Sequence, residues 1–146
     1  MKKIALICSC LLVVFMSSCS ASYERSTKPG EIVQITYDEY KEMKKTDDTY
    51  MVLITQTYCS HCKTYKKETL DVYLPEHGLT IYELNLTNEK NANKVFNELK
   101  EEFDGEFSGT PATLIFEDGE NKVMHSGVLK EGELDDYVTS YQLDKK

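Results

Sequence analysis

YMVLITQTYCSHCK, residues 50–63, is the stretch whose reading decides the fold. Its first part, Tyr50 to Gln56, is β-branched and apolar on both faces, which is the composition of a strand buried in the middle of a sheet. That strand delivers the chain to Cys59 and Cys62 in Tyr58-Cys59-Ser60-His61-Cys62-Lys63. Two sulfurs at this spacing can close a small disulfide ring and trade electrons with the cysteines of another protein. From Ser60 to about Tyr73 there is no Pro or Gly, while Lys, Glu and Thr are frequent and Tyr65, Val72 and Tyr73 are available to pack inward. The pattern predicts a helix that starts at the cysteines and ends at Pro75 and Gly78.

The flanking segments extend the same alternation. Upstream, Glu31 to Thr36 reads as a short strand, and Asp38 to Lys45 carries Tyr40 and Met43 at helical spacing among charges. Downstream, Thr80 to Leu86 supplies another strand. The clearest helix follows, with Ala92, Val95, Phe96, Leu99 and Phe103 on one face and Thr87 and Asn88 as capping candidates. Gly105 and Gly109 release the chain into strands at Ala112 to Phe116 and Lys122 to Ser126, and Asp118-Gly119 between them signals a hairpin. Leu134, Tyr137, Val138 and Tyr141 make a closing amphipathic helix. The order β-α-β-α-β-α-β-β-α predicts an α/β domain with a central mixed sheet. Right-handed crossovers place the early strands in parallel with helices on both faces, and a C-terminal hairpin and helix complete the domain.

With 146 residues, 40% of them hydrophobic, the chain suits one domain, assigned to residues 31–146. Residues 1–18 read as an export signal, because Lys2 and Lys3 precede an apolar run from Ile4 to Met16 that is shorter than the roughly 20 residues a membrane span needs. Met16-Ser17-Ser18-Cys19 resembles the lipobox of bacterial lipoproteins, apart from Met16 where Leu is usual. The resemblance implies that Cys19 is lipidated and becomes the mature N-terminus; simple secretion is the alternative. Residues 19–30, polar and containing Pro29-Gly30, would then tether the domain to the membrane. Of five cysteines, Cys8 and Cys10 leave with the signal and Cys19 takes the lipid, so Cys59 and Cys62 remain as the one possible internal disulfide. Loss of Lys2 and Lys3 takes the formal charge from −8 to −10, which argues against nucleic acid as a partner.

Three separated segments together resemble the thioredoxin family over nearly all of the mature domain. They are Tyr58 to Lys63, Gly109-Thr110-Pro111 running on to Glu120, and Ser126-Gly127 running on to Leu134. The resemblance implies a thioredoxin fold, a monomer, a cis peptide bond before Pro111, and a Thr110 backbone that pairs with a bound substrate strand. Proline suits such a position because an X–Pro bond tolerates cis at a cost of about 0.5–1 kcal/mol. Tyr58, Thr110 and Pro111 would shape the groove that receives the partner's cysteine. Three positions depart from the family: Leu53 replaces a usual buried Asp, Glu83 a usual buried Lys, and Lys67 a usual helix-kinking proline. The lipoprotein-type start, the short domain and the Tyr-Cys-x-x-Cys site are similar to accessory proteins of bacteriocin export in Gram-positive bacteria.

The chemistry expected is exchange, in which a thiolate attacks a disulfide and a second thiol resolves the mixed disulfide. Cys59, at the helix entrance, is assigned as nucleophile, and the more enclosed Cys62 as resolver. His61 and Lys63 add positive potential near Cys59 and stabilise its thiolate, which makes the disulfide more oxidising. Glu83, if it points beneath the disulfide, could carry the Cys62 proton. No bound cofactor or metal is expected, since the electrons travel through sulfur between this pair and protein thiols or disulfides. Zinc held by Cys59, His61 and Cys62 with His77 or His125 is the metal alternative, but neither distant histidine lies in a ligand motif. A non-catalytic module that holds an exported peptide or a transporter is the other, with the cysteines only bracing the fold.

Overall fold

The structure, a computed structural model, describes residues 23–146. The segment read as an export signal and Cys8, Cys10 and Cys19 lie outside the described residues. Five strands form one sheet in the order β1-β3-β2-β4-β5: β1 (Glu31–Ile35), β2 (Tyr50–Thr55), β3 (Thr80–Asn85), β4 (Ala112–Glu117) and β5 (Glu120–Ser126). β1 and β2 run parallel to β3, β4 runs antiparallel to β2, and β5 antiparallel to β4. β2 sits in the middle and all six of its residues are buried, which explains why it is apolar on both faces.

Side chains alternate across the sheet, so β2 feeds two cores. Val52 and Ile54 pack with Tyr40, Leu84, Val95 and Leu99 beneath α1 (Tyr37–Met43) and α4 (Ala92–Glu102). Met51 and Leu53 pack on the other face with Tyr65, Leu70, Ile81, Leu134 and Val138. That second layer is covered by α5 (Glu131–Ser140) and by the helical run that begins at the cysteines. Helices therefore lie on both faces, as the element order predicts.

Local chemistry sets most boundaries. Thr36 caps α1 in a reciprocal box with Glu39. Asp118 and Gly119 both take positive φ, 54° and 75°, and close the β4–β5 hairpin as a type I′ turn. The start of α4 differs from expectation. Asn85 accepts a hydrogen bond from the Thr87 amide and holds Leu86–Asn88 in a 3₁₀ turn, so the cap passes to Asn91, which accepts from the Lys94 amide at 3.1 Å.

The helical run after the cysteines is not uniform. α2 (Ser60–Tyr65) passes into a π turn (Lys66–Leu70), then α3 (Asp71–Tyr73) and a 3₁₀ turn (Leu74–Glu76). Lys67, where the resembled family has proline, lies inside the π turn. The wider turn shifts the faces on either side of it, and Tyr65, Leu70 and Tyr73 all stay buried.

The segment expected as a tether is bound to the domain from Tyr23 onward. The Ser26 amide donates to the Asp144 carbonyl at 2.7 Å, the Gly78 amide to Ser26 at 3.0 Å and the Gly30 amide to Leu74 at 2.7 Å. The reason lies far along the chain: Arg25 reaches carboxylates at Asp135 and Asp144, more than a hundred positions away. Among the described residues no helix is long and apolar enough to cross a membrane.

Candidate redox site

β2 ends at Thr55, and the turn after it is fixed by polar side chains before the cysteines are reached. The Thr57 amide donates to the Thr87 hydroxyl at 3.0 Å, and the Asn85 amide group donates to the Thr57 hydroxyl at 3.1 Å. These bonds tie the approach to Cys59 onto the end of β3. Thr57, Asn85 and Thr87 fix the approach to the candidate site, a role that sequence reasoning missed; their one sequence signal is that they are polar and flank strand ends.

Cys59 is the N-cap of α2, and Cys62 lies within its first turn. The two are joined as a disulfide with Cα atoms 5.3 Å apart. The Cys62 amide donates to the Cys59 sulfur at 3.1 Å, and the Lys63 amide to the Cys59 carbonyl at 3.2 Å. An amide aimed at Sγ is the group that stabilises a thiolate once the bond opens. The two sulfurs differ in access, since Cys59 is half-buried while Cys62 is only 3% exposed.

The second matched segment reaches the same place. The Thr110–Pro111 bond is cis, and the Thr110 carbonyl oxygen lies 3.3 Å from the Cys59 sulfur. The Thr110 hydroxyl donates to the Gln56 side chain at 3.2 Å, linking this loop to the end of β2. Tyr58 stands beside the pair, 86% exposed, one of two large apolar side chains left in solvent among the described residues. His61 and Lys63 are exposed on the first turn of the helix.

Glu83 is buried, on the same sheet face as its register partner Leu53. Lys66, one turn beyond Cys62, reaches both of its carboxylate oxygens at 2.6 and 2.7 Å, and Thr55 and Gln34 donate to it as well. Burial pushes the Glu83 carboxyl up. Hydrogen bonds from Lys66, Thr55 and Gln34, with the lysine charge, outweigh it and hold the group below the usual carboxylate range. The buried acid thus sits on β3, beside Leu53 of β2, with its cation supplied by the helical run that begins at the cysteines. His77 stacks on Tyr73, and His125 lies opposite Thr113 on β5. Among the described residues no three His, Cys, Asp or Glu side chains are grouped to hold a metal ion.

A family model described as a thioredoxin-like domain matches residues 36–142. A thioredoxin from Malassezia sympodialis, 15% identical, superimposes with a TM-score of 0.57 over 81% of this chain and 96% of its own. A mutant thioredoxin from Halobacterium salinarum, 16% identical, gives 0.57 over 80% and 95%. A thioredoxin from Nicotiana alata, 14% identical, gives 0.52 over 81% and 98%. At these identities the likeness is one of fold. No curated protein matches the sequence.

Proposed function

The chain belongs to the thioredoxin-like domain family, and we propose that it is a membrane-anchored, extracytoplasmic thiol–disulfide oxidoreductase acting on cysteines of exported proteins. The observation that carries the reading is the unequal access of the paired sulfurs at a helix N-terminus, Cys59 half-buried and Cys62 enclosed. In the reducing direction, the Cys59 thiolate attacks a partner disulfide, forms a mixed disulfide and releases one partner thiolate. Cys62 then gives up its proton to the released partner thiolate and attacks the Cys59 sulfur, which breaks the mixed bond and releases the second thiolate. Two electrons pass to the partner and the Cys59–Cys62 disulfide remains. The reverse sequence oxidises a partner dithiol.

Tyr58, Thr110 and Pro111 form the receiving surface in this reading, with the Thr110 carbonyl beside the attacked sulfur. His61 and Lys63 favour the thiolate from the exposed side. Glu83 acts from the interior, as a fixed negative charge paired with Lys66 in the π turn that follows the helix of Cys62. No cofactor is required, because both electrons reside on sulfur. The lipobox-like segment supports a lipid anchor at Cys19 in a bacterial membrane, and with it a role beside an export system such as one for bacteriocins.

Trapping tests the chemistry. A Cys62→Ser chain is expected to accumulate mixed disulfides through Cys59 with exported proteins, and Cys59→Ser to form none. Failure of Cys62→Ser to trap any adduct would leave a non-catalytic binding module. Metabolic labelling with palmitate tests the anchor, with Cys19→Ala expected to lose both label and membrane association.

A further inference from the structure

The end of the domain opposite the disulfide is bolted to the N-terminal segment by a dense polar cluster that exchange chemistry does not use. Arg25 Nε donates to Asp144 Oδ2 at 2.7 Å, and its Nη2 donates to Asp135 at 2.6 Å and to the Tyr73 hydroxyl at 2.8 Å. The Tyr23 hydroxyl donates to the other Asp144 oxygen at 2.7 Å. Asp144 is fully buried, and backbone bonds from Ser26 to Asp144 and from Lys146 to Glu24 complete the clamp. Tyr73 belongs to the helical run that starts at Cys59. At about 1.5 Å per residue, the clamp therefore stands about 20 Å from the disulfide. The sheet agrees, since β2 starts near the clamped end, finishes just before the cysteines and is about 20 Å long at 3.3 Å per residue.

Only three residues separate Cys19 from the clamped Tyr23, which makes four Cα-to-Cα steps. Fully extended, they span at most about 14 Å. If the segment were free up to Gly30, eleven residues would span about 38 Å, enough to let the domain turn over. We infer that the Arg25 clamp holds the domain clamp-end towards the bilayer. The Cys59–Cys62 pair is then presented only to cysteines on protein segments standing clear of the membrane, and not to thiols at headgroup depth. This rests on the reading of the chain as a lipid-anchored oxidoreductase and names the partner class of that same site.

The test uses the full lipidated chain in phospholipid vesicles. A dye is attached to Cys59 in Cys62→Ser, or to the exposed Lys28→Cys position with Cys59 and Cys62 both changed to Ser, and quenchers are carried on lipid headgroups. The expected result is strong loss of fluorescence for the Lys28→Cys dye and none for the Cys59 dye. A long Gly/Ser insertion after Ala21, which leaves every clamp residue in place, is expected to bring quenching to the Cys59 dye. If the protein floats with the vesicles and the Cys59 dye is quenched as strongly as the Lys28→Cys dye, the orientation is refuted and the anchor stands. If the protein does not float and carries no palmitate, the anchored reading fails, and the orientation with it.

Discussion

The two ends of the domain are built on opposite principles. At the disulfide end the reacting groups are neighbours in sequence, the first sulfur is half open to solvent, and an exposed Tyr58 stands beside it. At the clamp end the partners are Tyr23, Arg25, Tyr73, Asp135 and Asp144, and every one of them is hydrogen-bonded. There, burial and the adjoining Asp144 carboxylate push the Tyr23 hydroxyl up to about 12. A site that must open and close a covalent bond cannot be saturated with partners. A joint that must stay shut can be, and the difference separates the disulfide end from the clamped end in one small fold.

If that division holds, substitutions at the two ends produce opposite phenotypes. The largest effect is expected at the disulfide: Cys59→Ser abolishes exchange in an insulin-reduction assay, with stability within about 0.5 kcal/mol of the reduced wild type because the site lies at the surface. Asp144→Ala is expected to do the reverse. It strips Arg25 and Tyr23 of a buried partner and costs about 3 kcal/mol in urea unfolding, while the alkylation rate of Cys59 in the folded protein stays at the wild-type value. Loss of Cys59 reactivity in Asp144→Ala would break the separation of the two ends.

Glu83 lies between these extremes, buried like the clamp yet bonded to the active-site helix. Because Lys66 is more than a third exposed, solvent screens the pair, and Glu83→Gln is expected to cost only about 1 kcal/mol at neutral pH. The Glu83 carboxyl titrates below its unfolded value, so its contribution is complete above the ordinary carboxylate range and is lost as pH falls through the folded value. The stability gap between wild type and Glu83→Gln is therefore expected to close on acidification, measured by urea unfolding at neutral and acid pH. A gap that widened in acid would overturn the assignment of an ionised Glu83. The smallest effect is expected for His61→Ala: loss of positive potential destabilises the thiolate and lowers the reduction potential by no more than about 30 mV, the equivalent of one pKa unit. Equilibration with glutathione measures it.

How much could be read in advance follows the range of each interaction. The buried β2 run, the Cys-x-x-Cys spacing, the Asp118-Gly119 turn and the cis Thr110–Pro111 bond were all legible, because each is a local pattern or a motif of the resembled family. Asn91 as the cap of α4 was not, since Thr87 and Asn88 are equally good capping residues until the bond from the Thr87 amide to Asn85 fixes the 3₁₀ turn. The π turn at Lys66–Leu70 carries no composition signal, as Lys, Glu and Thr suit an ordinary helix as well.

From the sequence alone came the class of fold, the order of its elements and the identity of the paired sulfurs. Periodicity, turn chemistry and residue spacing act over a few positions, and the chain states them directly. Only the tertiary structure decided that Glu83 meets Lys66, Thr55 and Gln34, and that a polar stretch resembling a loose linker is fastened by Arg25 to Asp135 and Asp144. Those choices depend on which distant charges the folded backbone brings within bonding distance, and a buried charge is stable only where partners from elsewhere in the chain converge on it.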